Sequence, residues 1–151
     1  MKFRNPREED QGEILNLVKR VLEDYGLDIN PSETDKDLSD IAHNYFGRNG
    51  LFEIIEEDGE IVGSYGVYPV SPDVCELRKM YLLPGFQGRG LGKLMMERAI
   101  SKSRELGYAT MVLETNKKLN KAVGLYEKYG FVEYTPAHLS DRCDLAMKRD
   151  L

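Results

Sequence analysis

Few segments of this 151-residue chain place reactive side chains at a useful spacing. The most informative is Gln87-Gly88-Arg89-Gly90-Leu91-Gly92-Lys93, a glycine-rich turn that follows a strand-like run and leads into a helical one. A helix N-terminus offers unpaired N–H groups and the positive end of the helix dipole. Glycines allow positive φ and close backbone approach, so the turn reads as an anion cradle for a phosphate or pyrophosphate, with Arg89 and Lys93 adding charge. A Walker loop is excluded, because Gln87 stands where its first glycine belongs and Leu94 follows Gly92-Lys93. A G-x-G-x-x-G fingerprint is excluded too, since from Gly88 and Gly90 its last glycine falls on Lys93. The bland alternative is a purely structural loop. Glu76, on the preceding strand, is a titratable group within reach of the turn, with a surface ion pair to Arg78 or Lys79 as the other reading. Tyr126 lies on the apolar stripe of a later helix, where an aromatic is ordinarily core. Cys75 reads as a small buried residue rather than a nucleophile, because no histidine is near it in sequence.

Gln87 to Gly92 resembles the Q/R-x-x-G-x-G/A loop of the GCN5-related N-acetyltransferase (GNAT) superfamily. Downstream, Asn120-Lys121-Ala122-Val123-Gly124-Leu125-Tyr126-Glu127-Lys128-Tyr129-Gly130-Phe131 resembles its second signature, N-x-x-A-x-x-L-Y-x-K-x-G-F, with Asn120 taken as the asparagine. The two lie about thirty residues apart with a helix and a strand between, and the likeness extends over most of the chain.

The resemblance implies acetyl-CoA as donor. It implies main-chain pairing of the pantetheine arm with Met80, Tyr81 and Leu82, and a pyrophosphate held by the amides of Gly88, Arg89, Gly90, Leu91, Gly92 and Lys93 beside Gln87. Asn120 would hydrogen-bond the pantetheine, or cap its helix. Tyr126 would protonate the departing thiolate, a role suited to a phenol of pKa about 10. Glu76, eleven positions before Gln87, would act as base for the acceptor amine or bind its ammonium; a water chain does this work in other branches. The expected reaction is direct transfer in a ternary complex, with a strand N–H near Met80 polarising the thioester and no metal required. The acceptor expected is a small-molecule primary amine; a protein N-terminus or lysine, and a non-catalytic acyl-CoA-binding module, are the alternatives. A homodimer is common in the superfamily.

The elements that must position these residues are legible in the pattern. Ile14, Leu17, Val18, Val21, Leu22 and Tyr25 form one apolar stripe, predicting a helix over Asp10–Tyr25. A second, shorter helix is expected over Asp35–Tyr45. Leu51–Glu56 and Ile61–Tyr68 flank the turn Asp58-Gly59 and read as a hairpin, extended by a strand over Val74–Leu83. Alternation would put Glu76, Arg78, Met80 and Leu82 on one face. The helix after the glycine turn ends at Gly107, followed by a strand over Ala109–Glu114, a helix over Leu119–Tyr129, and closing strands over Phe131–Tyr134 and Cys143–Lys148. The order β, α, α, β, β, β, α, β, α, β, β predicts one α/β domain over residues 1–151. With the resemblance, this becomes a mixed, mostly antiparallel, splayed sheet with helices on both faces.

Composition agrees. Lys and Arg number 21 against 26 Asp and Glu, a net charge of −5, which argues against a nucleic-acid partner. No apolar run is long enough for a membrane span, and the N-terminus lacks a secretory pattern. Two cysteines make neither a disulfide framework nor a zinc site, so a cytoplasmic protein with reduced thiols is expected.

Overall fold

Val, Ile and aromatic residues crowd Leu51–Glu57 (β2) and Glu60–Pro69 (β3). Asp58 and Gly59 both take positive φ, the geometry that a two-residue hairpin between twisted strands requires. Val74–Leu82 (β4) continues the meander. With Lys2–Arg4 (β1), Thr110–Thr115 (β5), Val132–Glu133 (β6) and Leu145–Asp150 (β7), these strands form one seven-stranded sheet in the order β1-β2-β3-β4-β5-β7-β6. A computed structural model describes residues 1–151.

Every pairing is antiparallel except β4 with β5. That parallel contact is short: Val74, Cys75 and Glu76 meet Thr110, Met111 and Val112. Beyond Glu76 the strands part. β5 stays paired with β7 as far as Thr115, while β4 runs on to Leu82 against β3 alone.

The helices cover both faces. In Gln11–Asp24 (α1) the predicted stripe is buried. On the same side Tyr45 packs against the sheet so closely that a Cβ on Gly66 would stand 2.7 Å from its ring, which is why glycine occupies that position. Leu91–Glu105 (α3) lies on the opposite face, where Arg98 makes two hydrogen bonds of 2.9 and 2.8 Å to Glu53. Asn120–Lys128 (α4) brings Leu125 near Gly92 of α3. No helix is long and apolar enough to cross a membrane.

Three expectations shift. The helix expected over Asp35–Tyr45 is a 3-10 turn, Lys36–Ser39, followed by a single helical turn, Ile41–Asn44 (α2). Asp40 separates them with extended φ and caps α2 by accepting from the His43 N–H, so one continuous helix cannot form. The strand expected over Cys143–Lys148 starts later, at Leu145, because Asp144 is held in a loop by the Lys117 N–H and the Thr115 carbonyl. The strand expected over Phe131–Tyr134 keeps only Val132 and Glu133.

Candidate active site

The parting of β4 and β5 opens a cleft of about 370 Å³. Its walls are β4 from Glu76 to Leu82, the end of β5, α4, and the C-terminal part of α1. That size and its partly apolar lining suit a small-molecule site.

At one end stands the glycine turn. Gly88 and Gly90 have φ of 79° and 78°, and a Cβ on either would project into open space. Within the chain, the first amide of this region to donate to a backbone carbonyl is that of Leu94, to Gly90 O at 3.1 Å. The amides from Gly88 to Lys93 have no backbone acceptor. Six consecutive free N–H groups at the head of a 15-residue helix form an anion cradle. This is the fit expected for the diphosphate of coenzyme A.

Gln87 braces the cradle, its side-chain amide donating to Leu82 O at 3.1 Å. Gly88, Gly90, Gly92 and Lys93 line the cleft. Leu91 is buried beneath it. Arg89 turns away, 3.5 Å from Glu57 and stacked on Phe86. Met80, Tyr81 and Leu82 line the wall. Their alternation differs from expectation. Lys79 sits in a left-handed conformation (φ 55°) at a bulge, so Arg78 pairs with Gly66 whereas Tyr81 pairs with Ser64. The side chains of Arg78 and Lys79 both reach toward Asp37, on one side of the sheet. Glu76 and Arg78 therefore share a face, but past the bulge the parity reverses and Leu82, opposite Gly63, falls on the other.

Asn120 stands outside the cleft wall. Its side-chain oxygen accepts from the Lys121 N–H at 3.1 Å, a local contact at the helix start. Counted back from Ala122 and the Leu125-Tyr126 pair, the first position of the second signature falls on Leu119, and Leu119 does line the cleft. The asparagine facing the cleft is Asn116, whose amide donates to Arg142 O at 2.9 Å.

Tyr126 is 6% exposed and in edge contact with Phe131, yet it also lines the cleft, and its hydroxyl has no hydrogen-bond partner in the chain. Burial pushes its pKa well above that of a free phenol, so it is a neutral O–H donor throughout the physiological range. Core packing and an available O–H coexist in this one residue.

Glu76 accepts a hydrogen bond from Arg78 Nε at 2.7 Å. Burial raises its pKa above the ordinary carboxylate range, Arg78 opposes the rise, and nearby Glu114 adds to it. Glu76, Arg78, Glu114 and Thr34 also line a second, more polar cavity of about 530 Å³. These four residues are common to both linings, and the boundary where the two cavities meet is here called the neck. Cys75 is buried and Cys143 half-buried, both free thiols with pKa values raised by burial, Cys75 to about 11.

A cluster of charges drawn from distant stretches of the chain supports the neck. Lys79 Nζ lies 3.1 Å from Asp35 and 3.2 Å from Asp37. Arg142 binds Asp35 bidentately at 2.6 and 2.8 Å. Tyr45 donates to Asp37. Glu114 was hidden as the last residue of an otherwise apolar strand; a lone acid ending a buried run was the available signal.

Comparison with known proteins agrees with this geometry. The sequence profile described as "Acetyltransferase (GNAT) family" matches residues 16–131. An uncharacterised N-acetyltransferase of Escherichia coli (strain K12), YjgM, is 33% identical over 153 residues, covering 95% of this chain and 90% of that protein. An uncharacterised N-acetyltransferase of Schizosaccharomyces pombe is 32% identical over 130 residues, covering 85% and 80%. Among solved structures, a GNAT-family acetyltransferase from Staphylococcus aureus Mu50 superposes with a TM-score of 0.91 at 22% identity, over 99% of this chain and 98% of that one. The PaiA N-acetyltransferase of Thermoplasma acidophilum, solved with coenzyme A, superposes with a TM-score of 0.80 at 17% identity, over 99% and 98%.

Proposed function

The chain belongs to the acetyltransferase (GNAT) family and is an acetyl-CoA-dependent N-acetyltransferase, and we propose that it acetylates the primary amine of a small molecule by direct transfer in a ternary complex. The observation that carries this reading is the pair of cavities meeting at one neck, with free amides at the far end of one and polar side chains around the other. Bound in the first cavity, acetyl-CoA supplies the acetyl group as a thioester.

The chain's own residues do the rest. The amides of Gly88 to Lys93, with Lys93, hold the diphosphate, and Met80, Tyr81 and Leu82 present the unpaired side of β4 to the pantetheine arm. A β4 N–H near Met80 polarises the thioester carbonyl. Glu76 receives the proton that the amine loses as its N–C bond forms and the C–S bond breaks. Tyr126 gives its hydroxyl proton, or a hydrogen bond, to the departing sulfur. Alignment of amine and thioester across the neck contributes much of the rate.

Turnover of acetyl-CoA with small amines, followed as thiol release, tests the reading; tight CoA binding with no turnover on any amine would favour a non-catalytic module. Two variants test the assigned roles. Tyr126→Phe should lower kcat by about 10²-fold and leave KM for acetyl-CoA nearly unchanged. An unchanged kcat would return Tyr126 to the core alone.

Glu76→Gln should cost about 10²-fold at neutral pH, with a pH dependence of defined sign. A base works deprotonated, so wild-type activity should fall as pH drops through the raised pKa of Glu76. At alkaline pH, where the free amine is already deprotonated, the variant should recover toward wild type. A wild-type to variant ratio that stays flat from pH 6 to about 10 contradicts the base role.

A further inference from the structure

A small-molecule amine can belong to several chemical classes, and Arg78 narrows the choice. Its guanidinium lies at the neck, lining both cavities, with the side chain 29% exposed. Nε is used by Glu76, and the face of the group stacks on Tyr68 at 3.7 Å. Neither Nη nitrogen makes a hydrogen bond within the chain; Nη1 lies 4.0 Å from Asp37 Oδ2. Asp37 Oδ2 already accepts from the Tyr45 hydroxyl, and Lys79 Nζ stands 3.2 Å from Oδ1 as an ion pair, although Oδ1 accepts no hydrogen bond. A stacked guanidinium, held by Nε and presenting its Nη edge to a cavity, is the geometry in which arginine binds a carboxylate with paired hydrogen bonds.

Beside it stand two carboxylates with spare capacity. Glu76 uses one oxygen for Arg78, and Glu114 uses one for the Ser140 N–H at 3.0 Å. The neck thus offers a cationic fork directly next to anionic acceptors. A polycation would leave the Nη donors of Arg78 unpaired and repelled, whereas an ammonium next to a carboxylate satisfies both signs. The hydrogen-bonded contact between Glu76 and Arg78 sets how near the two charges of the acceptor must be: on groups joined through a single carbon of a short molecule.

We propose that the acceptor is a free α-amino acid or a close derivative with an unblocked carboxylate, bound by Arg78 through that carboxylate and by Glu76 and Glu114 through its amine. This rests on the small-amine reading above and deepens it. The same chemistry disfavours a protein N-terminus, where an amide replaces the carboxylate.

The test uses matched triplets: an amino acid, its amide and its decarboxylated amine, phenylalanine and lysine each serving as parent. For wild type, kcat/KM should favour the amino acid by at least about 10-fold over both analogues, the size expected for one charge-assisted pair. Arg78→Met also disturbs Glu76, so absolute rates fall for all three. The informative quantity is the ratio between them. In Arg78→Met the preference should collapse toward unity, chiefly through a higher KM for the amino acid, and Arg78→Lys should restore part of it. Equal or better use of the amide or the decarboxylated amine by wild type overturns the proposal, as does a ratio unchanged in Arg78→Met. If no member of either triplet is acetylated while polyamines are, the carboxylate site is wrong and the small-amine reading stands. If no amine of any kind is acetylated, that reading falls and this one with it.

Discussion

Gly90→Glu should all but abolish acetyl-CoA binding while the protein stays folded. Gly90 is the residue before α3, with φ of 78°, and a side chain there projects into open space at the mouth of the cradle. A non-glycine residue in this conformation costs roughly 1–2 kcal/mol, and the glutamate adds bulk and negative charge where a diphosphate must sit. Together these should lower affinity by at least about 10²-fold in calorimetric titration with acetyl-CoA. Gly90→Asn separates the causes, because asparagine tolerates left-handed backbone and adds no charge; it should bind more tightly than the glutamate variant. Wild-type affinity in Gly90→Glu would remove the phosphate site from this turn.

Asp35→Ala should destabilise the fold by about 3–5 kcal/mol, a large share of the roughly 5–15 kcal/mol a domain of this size possesses. The Asp35 side chain is 0% exposed, accepts from Arg142 and the Asn30 N–H, and lies 3.1 Å from Lys79 Nζ as an ion pair. Removing it leaves two buried cations short of a partner, the costly way to break such a cluster. Burial by itself would raise the Asp35 pKa, but Arg142 and then Lys79 outweigh it and hold the carboxyl below its ordinary value. The sign of the pH effect follows. The contribution is present above the unfolded-state value of about 3.9 and is lost as pH falls through the lower, folded one. Urea midpoints for wild type and Asp35→Ala should therefore differ widely at pH 7 and converge under acid conditions. A difference below about 1 kcal/mol at pH 7 would show that the cluster is not what ties the loop around Asp35 to β4 and the Arg142 segment.

What was legible in the sequence was what local rules control. The α1 stripe, the Asp58-Gly59 hairpin and the glycine turn each announce themselves within a dozen residues, and each forms as expected. The likeness of two separated motifs then pointed to the family. Tertiary interactions were less accessible. The Lys79 bulge reverses the face of Leu82 because Lys79 is drawn to Asp35 and Asp37, residues more than forty positions away, and alternation alone carries no sign of it. Before Tyr45 it is Asp40, extended and capping α2, that interrupts the expected helix. Arg142 reaches Asp35 across 107 positions, so the segment before β7 looks solvated until the fold brings the two together. The neck was the least legible, because Thr34, Glu76, Arg78 and Glu114 come from three separate stretches of chain.

A crystal structure of the protein with acetyl-CoA tests the central claim most directly. Diphosphate oxygens should lie about 2.7–3.2 Å from the amides between Gly88 and Lys93, with the pantetheine arm running along Leu77 to Leu82 and the thioester near Tyr126. A diphosphate bound elsewhere, with those six amides facing only solvent, would contradict it.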